Sequence, residues 1–157
     1  MTKAIEQDVD VLSSNQGLRY LTANDWALMI DKASRVQFTK GTTLVERGKE
    51  LDGIFLLLKG SARVLLPMRS SGRIIGPGEI CGEMSYLEDA PASASVVVEE
   101  DIEAYHIDLS TLQGLFELFP HLASRFYRSL AMNLSRRLRE LIGPAAEGSA
   151  RNAKGSS

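Results

Sequence analysis

The sequence predicts an α+β fold: eight short strands in a jelly-roll-type unit, flanked by an N-terminal helix and by C-terminal helices. Three observations predict it. Helical spacing of apolar residues is confined to the two ends of the chain. Short β-type runs fill residues 35–108. Glycines at 41, 48, 53, 60, 72, 76, 78 and 82 punctuate those runs, where tight corners need positive φ or close backbone approach.

Taken in order, residues 1–21 read as a weakly patterned N-terminal extension in which Ala4–Leu12 forms a short helix. A helix over about 23–33 follows, with Thr22 or Asn24 as N-cap, Asp25 in the first turn, and Trp26, Met29, Ile30 and Ala33 at helical spacing. The strand candidates are Val36–Phe38, Thr42–Val45, Ile54–Lys59, Ser61–Leu66, Arg73–Ile75, Glu79–Cys81, Ser95–Glu99 and Glu103–Ile107, with Ser70-Ser71-Gly72 as a hairpin tip. Glu83–Glu88 interrupts them as a short helix, whose N-terminus points free N–H groups at whatever lies beside Gly82.

Beyond the strands, Ser110 or Asp108 caps a helix through Leu118, which Pro120 breaks. His121–Ile142 is a long amphipathic helix with Leu122, Phe126, Leu130, Leu134, Leu138 and Leu141 in one stripe. Gly143-Pro144 ends it, leaving 143–157 as a flexible tail. The domain is thus expected over 22–142, with strands in 35–108 and terminal helices in 109–142.

The 157 residues are 44% hydrophobic and 24% charged, with net charge −2 and one cysteine, Cys81. That balance gives no support to nucleic-acid binding, and a lone cysteine suits a reducing compartment. Acidic residues at 6, 8 and 10 break any leader-like run, and the longest apolar run, Ile54–Leu58, is far short of a membrane span. A cytoplasmic protein with no membrane association is expected. His106 and His121 lack partners at metal-ligand spacing, so no metal is expected. No Ser/His/Asp or paired-carboxylate arrangement stands out, so no enzyme is expected either.

The order of these elements resembles the cyclic-nucleotide-binding domain, the family of protein kinase A regulatory subunits and the catabolite activator protein. Four local patterns carry the resemblance: Gly41-Thr42-Thr43-Leu44 with Arg47-Gly48; Asp52 to Gly60; Gly76-Pro77-Gly78-Glu79; and Gly82-Glu83-Met84-Ser85-Tyr86-Leu87 followed by Pro91-Ala92-Ser93-Ala94-Ser95. It covers about residues 20–142. The resemblance implies an eight-stranded β-roll of double-stranded β-helix type. It also implies a stand-alone sensor module with no cofactor, whose ligand is cyclic AMP or cyclic GMP. The fourth pattern looks like the phosphate-binding cassette. Gly82, Glu83, Met84, Ser85, Ala92, Ser93 and Ala94 are its expected ligand-binding positions.

Physics supports part of that cassette. A helix N-terminus is an anion site. Glu83 has the chemistry to accept a hydrogen bond from a ribose hydroxyl, and Ser93 to donate one to a phosphate oxygen. The resemblance places an arginine at the position held here by Ala92, so the cassette is degenerate. Losing such a charge-assisted bond removes roughly 1.5–3 kcal/mol. Arg63, Arg69 and Arg73 are candidate substitutes, and the family's base contacts would fall near Leu141 and Ile142.

Alternatives remain open at this point. Glu83 reads equally as a helix cap, and Ser93 as a loop-stabilising hydroxyl. The long helix packs on its own roll, or forms a homodimer seam within 121–142. Its Arg125, Arg128, Arg136, Arg137 and Arg139 read as a solvated face, or as one for an acidic, unidentified protein partner. About fifteen small polar residues after the helix are too few for a DNA-reading helix-turn-helix. The rival to a sensor is a ligand-free interaction or dimerisation scaffold.

Overall fold

The computed structural model describes residues 3–14, 17–66 and 72–155. Helix α1 spans Lys3–Ser14 and α2 spans Ala23–Asp31. Thr22 opens α2 by a reciprocal cap. Its hydroxyl accepts from the Asp25 amide at 3.1 Å, and the Asp25 carboxylate accepts from the Thr22 amide at 2.9 Å. Residues of the N-terminal extension pack against the domain. Val9, Leu12, Leu18 and Leu21 are buried in one cluster with Trp26 and Met29. The reason is local: Ile5, Val9 and Leu12 are spaced i, i+4, i+7 and give α1 a single apolar stripe. Asp8 then ties this helix to the sheet, accepting from the Tyr105 hydroxyl at 2.6 Å and from Arg35 at 3.0 Å.

The eight predicted runs appear as six strands: β1 (Ser34–Phe38), β2 (Thr43–Val45), β3 (Gly53–Leu65), β4 (Ile74–Ile75), β5 (Ile80–Cys81) and β6 (Ser95–Asp108). Two pairs of runs have fused. β3 and β6 pair antiparallel along nearly their whole length, with register shifts around Lys59 and Ser61. Gly60 makes the bend, at φ +84°, where a Cβ would lie 2.1 Å from the Asp101 carbonyl oxygen. β1 and β2 add to β6, while β4 and β5 add to β3. Of the predicted hairpin tip, Ser70 and Ser71 lie outside the described residues.

The apolar run Ile54–Leu58 is buried on both faces. Ile54, Leu56 and Leu58 join the helix-side cluster, while Phe55 and Leu57 join a second cluster inside the roll with Val45, Ala62, Ile75, Cys81, Ala92, Val96, Val98, Ile102 and Ala104. That is why the segment reads as a continuous apolar run without alternation.

A short helix, α3 (Glu83–Glu88), follows β5, and α4 (Leu109–Leu118) follows β6 with Asp108 at its N-cap position. α5 runs Pro120–Gly155, with proline at a first-turn position where its missing N–H costs nothing. The expected stop at Gly143-Pro144 is corrected: the backbone stays helical to Gly155. An internal proline removes one backbone bond, and the strong helix formers Ala145, Ala146 and Glu147 follow it at once.

The stripe on α5 divides. Leu122, Phe126 and Leu130 are buried against the body, whereas Leu134, Leu138 and Leu141 are 36%, 57% and 60% exposed. The arginine face divides too: Arg128, Arg136 and Arg139 are exposed, as expected, whereas Arg125 and Arg137 turn to acidic partners. Arg125 makes a two-pronged pair with the buried Asp25 at 2.5 and 2.8 Å. Arg128 lies 4.1 Å from the centre of the Tyr20 ring, and Arg136 donates to Asn133 at 2.9 Å. Arg137 turns inward, to the cavity described next.

Candidate functional site

Gly82 sets the site's geometry. Its φ of +95° is left-handed, and a Cβ would stand 3.1 Å from the Gly53 carbonyl oxygen. From that corner α3 starts, and the amides of Glu83, Met84 and Ser85 have no carbonyl a turn behind them. The return loop is pinned by its backbone. The Ala92 amide donates to the Lys49 carbonyl at 3.0 Å, and the Gly48 amide donates to the Ala92 carbonyl at 2.8 Å. Ala92 is therefore buried with its amide committed. Ser93 is exposed, and among the described residues its hydroxyl has no recorded partner.

These segments line a half-open cavity of about 580 Å³, within the range of small-molecule sites. All seven positions predicted from the sequence, Gly82, Glu83, Met84, Ser85, Ala92, Ser93 and Ala94, line it. Val45, Val64, Ile75 and Val96 give it an apolar wall, and Arg137, Glu140 and Leu141 of α5 also line it. Leu141 stands where the resemblance put a base contact. Ile142 is 54% exposed and is not among the lining residues.

Four charged residues line the cavity, Arg73, Glu83, Arg137 and Glu140, and two ion pairs run through them. Glu83 is 7% exposed and faces Arg137 across 3.5 Å. Arg73 faces Glu79 across 3.6 Å, and Glu79 also accepts from the Gly76 amide at 2.7 Å. Burial, and after it the nearby charge of Arg137, holds the Arg73 pKa below the usual arginine value. At the cavity floor Cys81 is buried, and burial, followed by the negative charge of Glu83, pushes its thiol up to about 12. It is a packed thiol with little nucleophilic character.

Of the candidate substitutes for the cassette arginine that lie among the described residues, Arg73 lines the cavity and Arg63 does not. Arg63 is held by Glu99 and by the Gly72 carbonyl, and Arg69 lies outside the described residues. Arg137 was not legible as a cavity residue from charge patterning. Its position four residues before Leu141 was the available signal, since i and i+4 share a helix face.

A second feature absent from the sequence reading joins α3 to α5. The Tyr86 and Tyr127 rings stack at 9° with centroids 6.2 Å apart, and Phe116 and Phe126 pack edgewise on Tyr86. Away from the cavity, His106 does have close acidic neighbours. Its Nε2 is 3.1 Å from Asp52 and its Nδ1 is 3.8 Å from Asp108, a grouping that spacing along the sequence does not reveal. Asp52 and Asp108 converge on it because the turn before β3 meets the end of β6.

Residues 35–118 match the family described as "Cyclic nucleotide-binding domain". The chain is 26% identical over 147 residues to Cyclic GMP-binding protein C of Dictyostelium discoideum, covering 88% of this chain and 6% of that protein. It is 30% identical over 108 residues to a cAMP-dependent protein kinase regulatory subunit of Aspergillus fumigatus, covering 66% of this chain and 24% of that one. The chain therefore spans only a small part of these relatives' lengths. The crystal structure of a cyclic nucleotide-binding domain from Methylobacillus flagellatus superposes with a TM-score of 0.75 at 21% identity, covering 93% of this chain and 84% of that one.

Proposed function

Since the chain belongs to the cyclic nucleotide-binding domain family, we propose that it is a regulatory sensor whose 580 Å³ cavity takes cyclic AMP or cyclic GMP. One observation carries this reading: the seven cassette positions converge on one cavity that α5 also lines. In the proposed complex the unpaired amides of α3 and the Ser93 hydroxyl meet the phosphate. Glu83 accepts from the ribose 2′-hydroxyl, and Leu141 packs on the base without hydrogen-bonding to it. The chain has no catalytic part in this scheme and acts in the cytoplasm by changing what α5 presents to a protein partner. No helix among the described residues is long and apolar enough to cross a membrane. Calorimetric titration with both nucleotides tests the reading; no heat at millimolar ligand would sink it.

A homodimer through α5 is part of the same proposal. Tyr127, Leu134, Leu138 and Leu141 are exposed and succeed one another at intervals of seven, four and three, the spacing of a coiled-coil seam. Sedimentation equilibrium of the whole chain should give a dimer that Leu134→Asp with Leu138→Asp dissociates. A monomeric parent chain would remove this part.

The rival reading is a scaffold that has given up its ligand. Ala92 in the arginine position favours it, as does Arg137 occupying Glu83. The same titration separates the two.

A further inference from the structure

The cassette brings no cation to its own cavity, yet two arginines from outside it, Arg73 and Arg137, line that cavity beside Glu83 and Glu140. Arg73 enters from the β3–β4 side, where its carbonyl accepts from the Val64 amide at 2.8 Å and fixes its backbone. Arg137 enters from α5. Each faces a carboxylate at 3.6 or 3.5 Å, longer than a true hydrogen bond, so both guanidinium forks stay open to a better acceptor. The two cations also share a partly buried space, with side chains 37% and 27% exposed, and repel one another there. An anion between them relieves both costs.

We propose that the anion clamp has been rebuilt outside the cassette, with Arg73 and Arg137 together gripping the cyclic phosphate; this rests on the cyclic-nucleotide reading above. In this arrangement Arg137 leaves Glu83 for the phosphate, and Glu83 is released to accept a ribose hydroxyl. Charge recognition then sits partly on α5, so the helix that carries the exposed stripe senses the ligand directly.

The test is calorimetric titration of the full chain with cyclic AMP and cyclic GMP, alongside Arg73→Gln, Arg137→Gln and the double variant. Each single change should weaken binding at least tenfold and the double change further. Arg73→Lys and Arg137→Lys, which keep the charge without the planar fork, should fall between parent and Gln variants. Arg63→Gln, on the Glu99 side, should bind as the parent does. Melting temperatures near the parent's establish that the variants fold. If the parent binds nucleotide and both Gln variants stay within twofold of it, the clamp is refuted while the cyclic-nucleotide reading stands. If the parent binds neither nucleotide, that reading fails. Side-chain NMR of the arginine Nε groups with inorganic phosphate then decides the clamp: shifts at both Arg73 and Arg137 support it, and no shift at either overturns it.

Discussion

The hydroxyls of Tyr86 and Tyr127 meet at 2.7 Å, one on the short helix of the cassette and the other on α5. Sequence separates them by 41 residues, and the contact ties α3 to α5. Burial, with the Tyr127 hydrogen bond second, raises the Tyr86 pKa well above the usual phenol.

Removing only the bond should cost little. Tyr86→Phe is expected to lose about 0.5–1 kcal/mol at this partly exposed site. Tyr86→Ala also strips the ring from Phe116 and Phe126 and should lose about 2 kcal/mol or more. Urea denaturation of the two variants checks the ordering; equal losses would mean that the rings contribute nothing.

Gly60 and Gly41 make a matched comparison. Both have positive φ, at +84° and +91°, but a Cβ at Gly60 meets the Asp101 carbonyl at 2.1 Å and one at Gly41 meets nothing within 4 Å. Gly41→Ala should therefore show only the backbone term of about 1 kcal/mol. Gly60→Ala must add the displacement of β6 and should be worse by at least about 2 kcal/mol. Thermal melts of the two variants measure the difference.

Asp25 sets an acid limit. Burial acts to raise its pKa, but the hydrogen bond from Arg125 and those around Thr22 outweigh it and hold the carboxyl below its ordinary 3.8. A depressed folded pKa means the stabilisation is fully present above the unfolded value and is lost as pH falls through the folded one. Stability should fall as pH drops below about 4, and Asp25→Asn should flatten that fall. At neutral pH Asp25→Ala breaks the reciprocal cap with Thr22 and the Arg125 pair, and should lose at least roughly 1 kcal/mol. Denaturation curves between pH 7 and pH 2.5 decide it; an unchanged acid limb in the Asn variant would remove Asp25 from the account.

Cys81 should resist alkylation. A thiol at about 12 rather than its ordinary 9.0 holds on the order of a thousandfold less thiolate at neutral pH. Iodoacetamide at pH 8 should label the native chain far more slowly than the urea-unfolded chain. Comparable rates would show the cavity floor to be open.

The parts legible in the sequence were those written locally. Thr22 and Asp25 announce α2, the glycines announce the corners, and Gly82–Glu88 announces the cassette helix at its observed bounds. The fusion of eight runs into six strands was hidden because a strand that bends at Gly60 looks interrupted in sequence. The burial of Val9 and Leu12 was hidden because α1 is short and its polar residues dominate the composition. At the site, the seven cassette positions could be named by pattern, whereas Arg73 and Arg137 could not be brought together. One stands on a strand edge and the other on a helix, and only the tertiary fold puts them on one cavity. Arg125 and Arg137 illustrate the same limit: a row of arginines on one helix looks solvated until their acidic partners arrive from elsewhere in the chain.

β3 divides its residues between two clusters, with even-numbered side chains from Ile54 to Leu58 on the helical side and Phe55 and Leu57 on the roll side. A partition built this way belongs to both rooms. Pressure on Leu57 from within the roll is delivered to Leu56 and Leu58 through one stiff backbone, and so to Trp26 and Phe126 beyond. Neither layer can melt and leave the other standing, because each supplies one face of the shared wall. Heat should therefore take roll and helices apart in one step.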